Sequence, residues 1–379
     1  MEITELDFHL PPELIATHPA QPRDSSRLMV VRRAAETVEH RHFYDLPDLL
    51  EAADVLVVND TRVLPARLVL RRPTGAMIPG LFLSEIVPGR WEVMLRSRGK
   101  LSPGDALHVE RSSESARDEI AIRVAERLPE RGRWVIEISP ALPAAQLLER
   151  IGHVPLPPYI EKARRTAWNN EKPRHSGAEL ADLSGDAQET IDRTEYQTVY
   201  ARLPGSLAAP TAGLHFTPGV LDRLAARGIG RLPVTLHVGL GTFLPVETQT
   251  LEGHKMHAET YSVPGATVGA LRSLRASGKG RIVVVGTTAA RTLESAAAEI
   301  LGCEAPAADL AGSTALCISP GYRFELTDVL LTNFHLPRST LLALVAALVG
   351  LERMRALYAE AIRERYRFYS YGDAMLILP

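Results

Sequence analysis

Two textures of hydrophobic patterning share this chain. In the first, short apolar runs alternate with helix-length segments. Arg27–Arg32 (RLMVVR) reads as a short strand and residues 47–52 as a short helix. Asp54–Asn59 (DVLVVN) reads as a buried strand opening into the polar loop NDTR. Unbroken apolar runs of this length suit strands covered on both faces. The second texture begins past Arg67. LFLSEIV, RWEVMLRSR, DALHVE, EIAIRVAERL and GRWVIEIS are short segments, several with period-two alternation. Pro88-Gly89, Pro103-Gly104 and Arg131-Gly132 separate some of them. Short strands at this spacing predict a compact antiparallel barrel over residues 67–139.

From Pro143 the first texture returns. PAAQLLERIG predicts a short helix ended by Gly152. RIVVVGTTAARTLESAAAEI predicts a buried strand over 281–285, a Gly-Thr-Thr turn and a helix. TDVLLTNFHLPRSTLLALVAALVG predicts a strand over 329–332, a loop, and an apolar helix capped near Ser339. Residues 161–193 are polar and without apolar periodicity, and read as a mobile surface insertion. The expected class is α/β: a main α/β catalytic domain (1–66 plus 140–379) interrupted by an inserted, mostly antiparallel β-barrel domain (67–139).

Composition narrows the function more than the fold. The 379 residues suffice for two or three domains. A formal net charge of −2 argues against non-specific duplex binding, but leaves room for recognition of one RNA loop. Two cysteines, Cys303 and Cys317, form no CxxC pattern, so neither a disulfide scaffold nor a zinc ribbon is expected. The acidic start MEITELDFHLPPEL carries no apolar signal core. The apolar run Leu341–Leu351 falls far short of the ~20 residues of a membrane span. A soluble, cytoplasmic monomer is expected.

Candidate chemistry gathers in loops just past apolar strands. NDTR (59–62), HVGLGTF (237–243), GTTAAR (286–291) and NFHLPRST (333–340) place Asn, Thr, Gly or His there. Ligands of open α/β sheets bind at the carboxyl ends of strands. Any one of these loops is explained by capping and turn chemistry; four together point to a shared site. HVGLGTF lacks the third glycine of a dinucleotide fingerprint, and GTTAAR lacks a Walker pattern. HKMHAE (254–259) offers His254, His257 and Glu259 as an acid–base set with Glu259 orienting a histidine, as plain structural hydrogen-bonding groups or, in a rival reading, as the ligands of a metal-dependent hydrolase. His215, in AAPTAGLHFTP, shares an apolar setting with His237 and His335. Each alone reads as a core histidine, and together they suggest one pocket. RERYRFYSYGDAM (363–375) interleaves arginine with aromatics, as a helix end or as a stacking surface for single-stranded RNA. A non-catalytic RNA-binding protein is therefore a third reading.

Together these motifs resemble one family, the S-adenosylmethionine:tRNA ribosyltransferase-isomerases of queuosine biosynthesis. The resemblance runs nearly end to end, through DFHLPPELIATHPAQPRDSSRLMV, VVNDTRVLPARL, GHVPLPPYI, EYQTVYA, AAPTAGLHF, VTLHVGLGTFLPV, HKMHAE, VVVGTTAARTLES, LLTNFHLPRSTLL and YRFYSYGDAML. It implies an α/β fold with an inserted barrel. It implies transfer and isomerisation of the ribosyl group of S-adenosylmethionine onto 7-aminomethyl-7-deazaguanine at the tRNA wobble position. Epoxyqueuosine-tRNA, adenine and methionine would result, with no prosthetic group and no metal.

That chemistry asks for a base to remove a 5′ proton acidified by the sulfonium, and for an acid to help adenine leave. His215, His237, His257, Glu259 and Asp373 are the catalytic candidates. Gly239, Gly241 and Thr242 are expected under the adenosyl group. Phe216, Phe243 or Tyr371 is expected beside the sulfonium. Arg62 and Arg291 are candidates for the methionine carboxylate or an RNA phosphate. Asn59, Thr61, Thr211, Gly213, Thr287, Asn333 and His335 complete the expected binding set.

Overall fold

The computed structural model describes residues 1–109, 120–162, 164, 186–239, 241, 248–302 and 307–379. Its strands are β1 (Arg27–Arg32), β2 (Thr37–His42), β3 (Val55–Asn59), β4 (Thr61–Val63), β5 (Arg67–Arg71), β6 (Met77–Val87), β7 (Arg90–Leu95), β8 (Ala106–Val109), β9 (Ala121–Arg127), β10 (Arg133–Ser139), β11 (Leu203–Ser206), β12 (Gly230–Leu236), β13 (Glu259–Val263), β14 (Ile282–Val285), β15 (Leu310–Thr314), β16 (Val329–Asn333) and β17 (Ala374–Leu378). Nine form one mixed sheet in the order β15-β13-β12-β3-β14-β16-β17-β1-β2. At its centre β12, β3, β14 and β16 run parallel. β17 enters between β16 and β1, antiparallel to the first and parallel to the second.

The central strands are apolar throughout because both faces are covered. Alternate residues divide between two cores: Ile282 and Val284 join one with Met29, Val31 and Leu330, while Val283 and Val285 join the other with Leu28, Val30 and Leu331. Among the described residues no helix is long and apolar enough to cross a membrane.

The barrel is closed, in the order β10-β7-β6-β5-β8-β9, with antiparallel neighbours throughout. Period-two alternation sends Leu68, Leu70, Trp91, Val93, Ile122 and Val124 inward. The five segments recognised by alternation are strands, and a sixth, β5, joins them. β6 also starts earlier than its pattern suggests, because Pro79 and Gly80 lie inside it. The helix Ala144–Ile151, stopped at Gly152 as expected, buries Leu147, Leu148 and Ile151 in the barrel's core cluster.

Two local expectations need correction. No separate Gly-Thr-Thr turn follows β14: Gly286, at φ +86°, lets the strand pass directly into the helix Gly286–Ser295, whose first residues are those three. The polar stretch 161–193 lies mainly outside the described residues, but Asp186–Glu195 is a helix. Its Glu189 accepts from Val154 N–H at 2.9 Å, and its buried Asp192 pairs with Arg164 at 2.8 Å. Ser339 caps the helix Thr340–Val349 as expected, accepting from Leu342 N–H.

Candidate active site

A cavity of about 640 Å³ opens at the carboxyl ends of the parallel strands, a size that suits a small organic ligand. Its walls come from segments far apart in the chain. Ala208–Ala212 supply one side, Val238 and Gly241 another, and His254, Met256, His257 and Glu259 a third. Gly286, Thr287, Thr288 and Arg291 line it from the helix after β14, and residues 332–341 from the end of β16 onward. Three of the four expected loops thus meet. The NDTR loop stands behind them: Asn59 Nδ2 reaches Thr288 Oγ1 at 3.2 Å and the Leu236 carbonyl at 3.0 Å.

The floor carries a buried ion pair. Glu259 begins β13, with Oε1 accepting from Gly239 N–H at 3.1 Å and Oε2 bonded to Arg291 Nη1. Arg291 Nε donates to the Leu316 carbonyl at 2.9 Å. Its Nη2 is buried without a partner, in a residue that lines the cavity. An unmatched guanidinium N–H there is a ready donor for an incoming anion.

Glu259 is therefore spent on Arg291 and Gly239. Among the described residues no three or more His, Cys, Asp or Glu side chains cluster as metal ligands. His257 is exposed at the mouth, packed so closely on Gly241 that a Cβ there would lie 3.0 Å from the ring. His335 lines the cavity, buried, with Nε2 2.8 Å from Thr332 Oγ1. Burial pushes its pKa down to about 4, so it stands neutral at physiological pH.

Other expected residues lie off the cavity. His215 does not line it. Its ring stacks on Phe43, Nδ1 lies 2.8 Å from Ser26 Oγ, and Nε2 lies 3.3 Å from Asn333 Nδ2. Burial, with Arg367 and Arg23 adding to it, pushes its pKa down to about 3. The apolar bracket APTAGLHF thus holds His215 behind the wall, hydrogen-bonded to Ser26 and Asn333. His237 also stands outside the lining, half-buried, with Nδ1 2.8 Å from Thr61 Oγ1; burial lowers its pKa despite nearby Asp60. Asp373 is fully engaged inside the fold, accepting from Arg27 N–H and Arg367 N–H and pairing with the Arg367 guanidinium.

The aromatic assignments shift as well. Phe216 is buried edge-on against Phe43, and Tyr371 stands outside the lining, behind Tyr196. Gly213 presses on Tyr200 instead of a ligand. Arg62 sits at the surface, paired with Glu149 beside a separate shallow notch. Thr242 and Phe243 lie outside the described residues. In the 363–375 segment Tyr366, Phe368, Tyr369 and Tyr371 are all buried, and of these four only Tyr369 lines the cavity. Thr211, Gly241, Thr287, Arg291, Asn333 and His335 do line the cavity, as do His257 and Glu259. Sequence reasoning missed Tyr159, Tyr196 and Tyr369, which line it too. The only hint was that GHVPLPPYI and EYQTVYA recur among the family's motifs. Nothing in RFYSYG distinguishes Tyr369 from Tyr371.

The family described as queuosine biosynthesis proteins matches residues 3–377. The chain belongs to that family. Among its curated relatives, a protein of Moorella thermoacetica named S-adenosylmethionine:tRNA ribosyltransferase-isomerase is 47% identical over 382 residues, covering 100% of both chains. One of the same name from Methylobacterium radiotolerans is 48% identical over 390 residues, covering 100% of this chain and 98% of its own. A crystal structure of S-adenosylmethionine tRNA ribosyltransferase from Thermotoga maritima is 34% identical, with a TM-score of 0.52, covering 99% of this chain and 100% of that one. These family relatives span the barrel and the sheet alike.

Proposed function

We propose that this family member is an S-adenosylmethionine:tRNA ribosyltransferase-isomerase. It moves the ribosyl group of S-adenosylmethionine onto 7-aminomethyl-7-deazaguanine in the tRNA anticodon, releasing adenine and methionine. The observation that carries this reading is the meeting of motifs. AAPTA, HVGLG, HKMHAE, GTTAAR and NFHLPRST, spread from residue 208 to 340, enclose one cavity of ligand size.

Within that cavity the methionine carboxylate is assigned to the unpaired Nη2 of Arg291. Glu259 fixes the guanidinium, and the Leu316 carbonyl holds its Nε, so the donor is set before the ligand arrives. His257, exposed at the mouth against Gly241, is assigned the proton transfer, since an imidazole there reaches both the ligand and water. The S-adenosylmethionine sulfonium acidifies the ribose 5′-CH₂, and removal of that proton starts the release of adenine. Neutral His335, with its ring on Thr332, is placed to orient a ligand by hydrogen bonding.

The deciding experiment mixes the protein, S-adenosylmethionine and precursor-bearing tRNA, and follows free adenine and methionine by chromatography. Equal amounts of both, dependent on the precursor base, are expected. Absence of adenine under those conditions overturns the assignment. The metal-dependent hydrolase reading loses its carboxylate to Arg291, and the relatives' names support neither it nor a binding protein without catalysis.

A further inference from the structure

A second residue of the cavity lining carries an unmatched polar atom. Asn333 ends β16 and is 3% exposed. Its Nδ2 donates to the Tyr369 carbonyl at 3.0 Å and to His215 Nε2 at 3.3 Å. A carbonyl only accepts, so the amide's orientation is fixed by Tyr369. Fixing it also fixes the histidine: Nε2 accepts, and Nδ1–H donates to Ser26 Oγ. Asn333 Oδ1 is then left buried with no partner, in a residue that lines the cavity. Burying a carbonyl oxygen without a donor is costly, and an amine on the ligand would remove that cost.

Beside this atom the chain is strained. Tyr369 has φ +73°, a region bulky residues rarely occupy. Three hydrogen bonds hold it there. Its N–H donates to the Phe334 carbonyl, and its own carbonyl accepts from Asn333 Nδ2 and Gly372 N–H. Strain maintained in this way clusters at ligand clamps. Tyr159 lies against the Tyr369 ring, centroids 4.5 Å apart at 48°. Its hydroxyl is tied to the Ser370 side chain and accepts from Ser370 N–H. Both rings line the cavity. Two fixed aromatic rings next to a bare acceptor fit a flat heterocycle with an exocyclic amine.

Resting on the functional reading above, we propose that Asn333 Oδ1 accepts from the 6-amino group of the S-adenosylmethionine purine while the Tyr159–Tyr369 pair packs against one side of its ring. The site thereby selects 6-amino over 6-oxo purines. The ring belongs to the small molecule and not to the tRNA because of depth and pairing. Asn333 and Arg291 are both more than nine-tenths buried; Asn333 ends β16, and Arg291 lies in the helix that follows β14, the parallel neighbour of β16. A bare acceptor and a bare cationic donor on one floor match the two ends of one free nucleoside. A nucleotide within a polymer keeps its backbone at the mouth.

The test uses S-adenosylhomocysteine and S-inosylhomocysteine as inhibitors of adenine release. These probes differ in the purine 6-position and its ring tautomer and involve no leaving-group chemistry. Wild-type protein is expected to bind the adenosyl compound at least about 10-fold tighter, because a buried site built to accept a hydrogen bond rejects the analogue that cannot donate. Asn333→Ala should collapse that ratio to about 2-fold or less. Tyr369→Leu should weaken both inhibitors together by about 5-fold or more and leave their ratio intact. Should Asn333→Ala fail to fold, Asn333→Ser, which also removes the amide oxygen, makes the same test. Equal inhibition by the two compounds overturns the amino-group assignment while leaving the enzyme's function standing. Discrimination retained in Asn333→Ala moves it to another residue and overturns it equally. Wild-type protein that releases no adenine overturns both readings together.

Discussion

The barrel and the carboxyl edge of the sheet bury different kinds of side chain. Among the described residues from 67 to 139, no charged or polar side chain is buried apart from the indoles of Trp91 and Trp134, and none lines the cavity. At the sheet edge the buried set includes Asn59, Thr61, His215, Glu259, Arg291, Asn333 and His335. Burying polar groups destabilises a fold unless each finds a partner. Most here do, and two of the exceptions, Arg291 Nη2 and Asn333 Oδ1, belong to residues lining the cavity. The contrast separates a region arranged for packing from one arranged for a ligand.

Arg291→Met attacks that contrast where it is sharpest. Glu259 would stay buried without its cation, and about 3–5 kcal/mol of stability should be lost, read by urea unfolding. Adding Glu259→Gln should restore part of it. A single variant as stable as wild type would mean the floor is not an ion pair that supports itself. Trp91→Ala, in the barrel, should also cost about 3–5 kcal/mol, since Trp91 is fully buried against Phe82. Its KM for S-adenosylmethionine, however, should move by less than about 2-fold, the site being elsewhere. A large KM change would give the barrel a share in the small-molecule site.

Acid should act on the sheet edge first. His215 and His335 have folded pKa values of about 3 and about 4, below the unfolded value, so the unfolded chain binds their protons more readily. Their stability contribution is complete above pH ~6.5 and shrinks as pH falls toward those values, by about 1.4 kcal/mol per pH unit for each histidine. Chemical denaturation between pH 7 and pH 4.5 measures the slope, and His335→Gln should roughly halve it. The smallest effect concerns catalysis. His215→Gln should slow adenine release by about 10-fold through loss of a buried hydrogen bond to Asn333. The shape of the pH–rate profile between pH 5.5 and 8 should not change. A profile that lost a limb would return His215 to the proton-transfer step.

Alternation and apolar runs made most of the fold readable, because solvent exposure imposes period two on the barrel and its absence imposes continuity on β14 and β16. β5 and the start of β6 escaped. Arg67 and Arg71 bracket the first, and Pro79 and Gly80 interrupt the second. The site was readable as a set of loops and poorly readable as individual side chains. His215, His237 and Asp373 carry the right chemistry, but whether a side chain faces the cavity or the core depends on partners remote in sequence, such as Ser26 for His215 and Arg27 for Asp373. Tyr369 was hidden for a different reason: its left-handed backbone is imposed by Asn333 and Phe334, and no residue type announces it.

β17 works as a splice between distant stretches of the chain. It ties the hairpin of β1 and β2 to the remainder of the sheet through Ala374–Leu378. Asp373 and the turn that carries Tyr369 stand immediately before it. Removing those five residues would leave β1 and β16 without the neighbour they share.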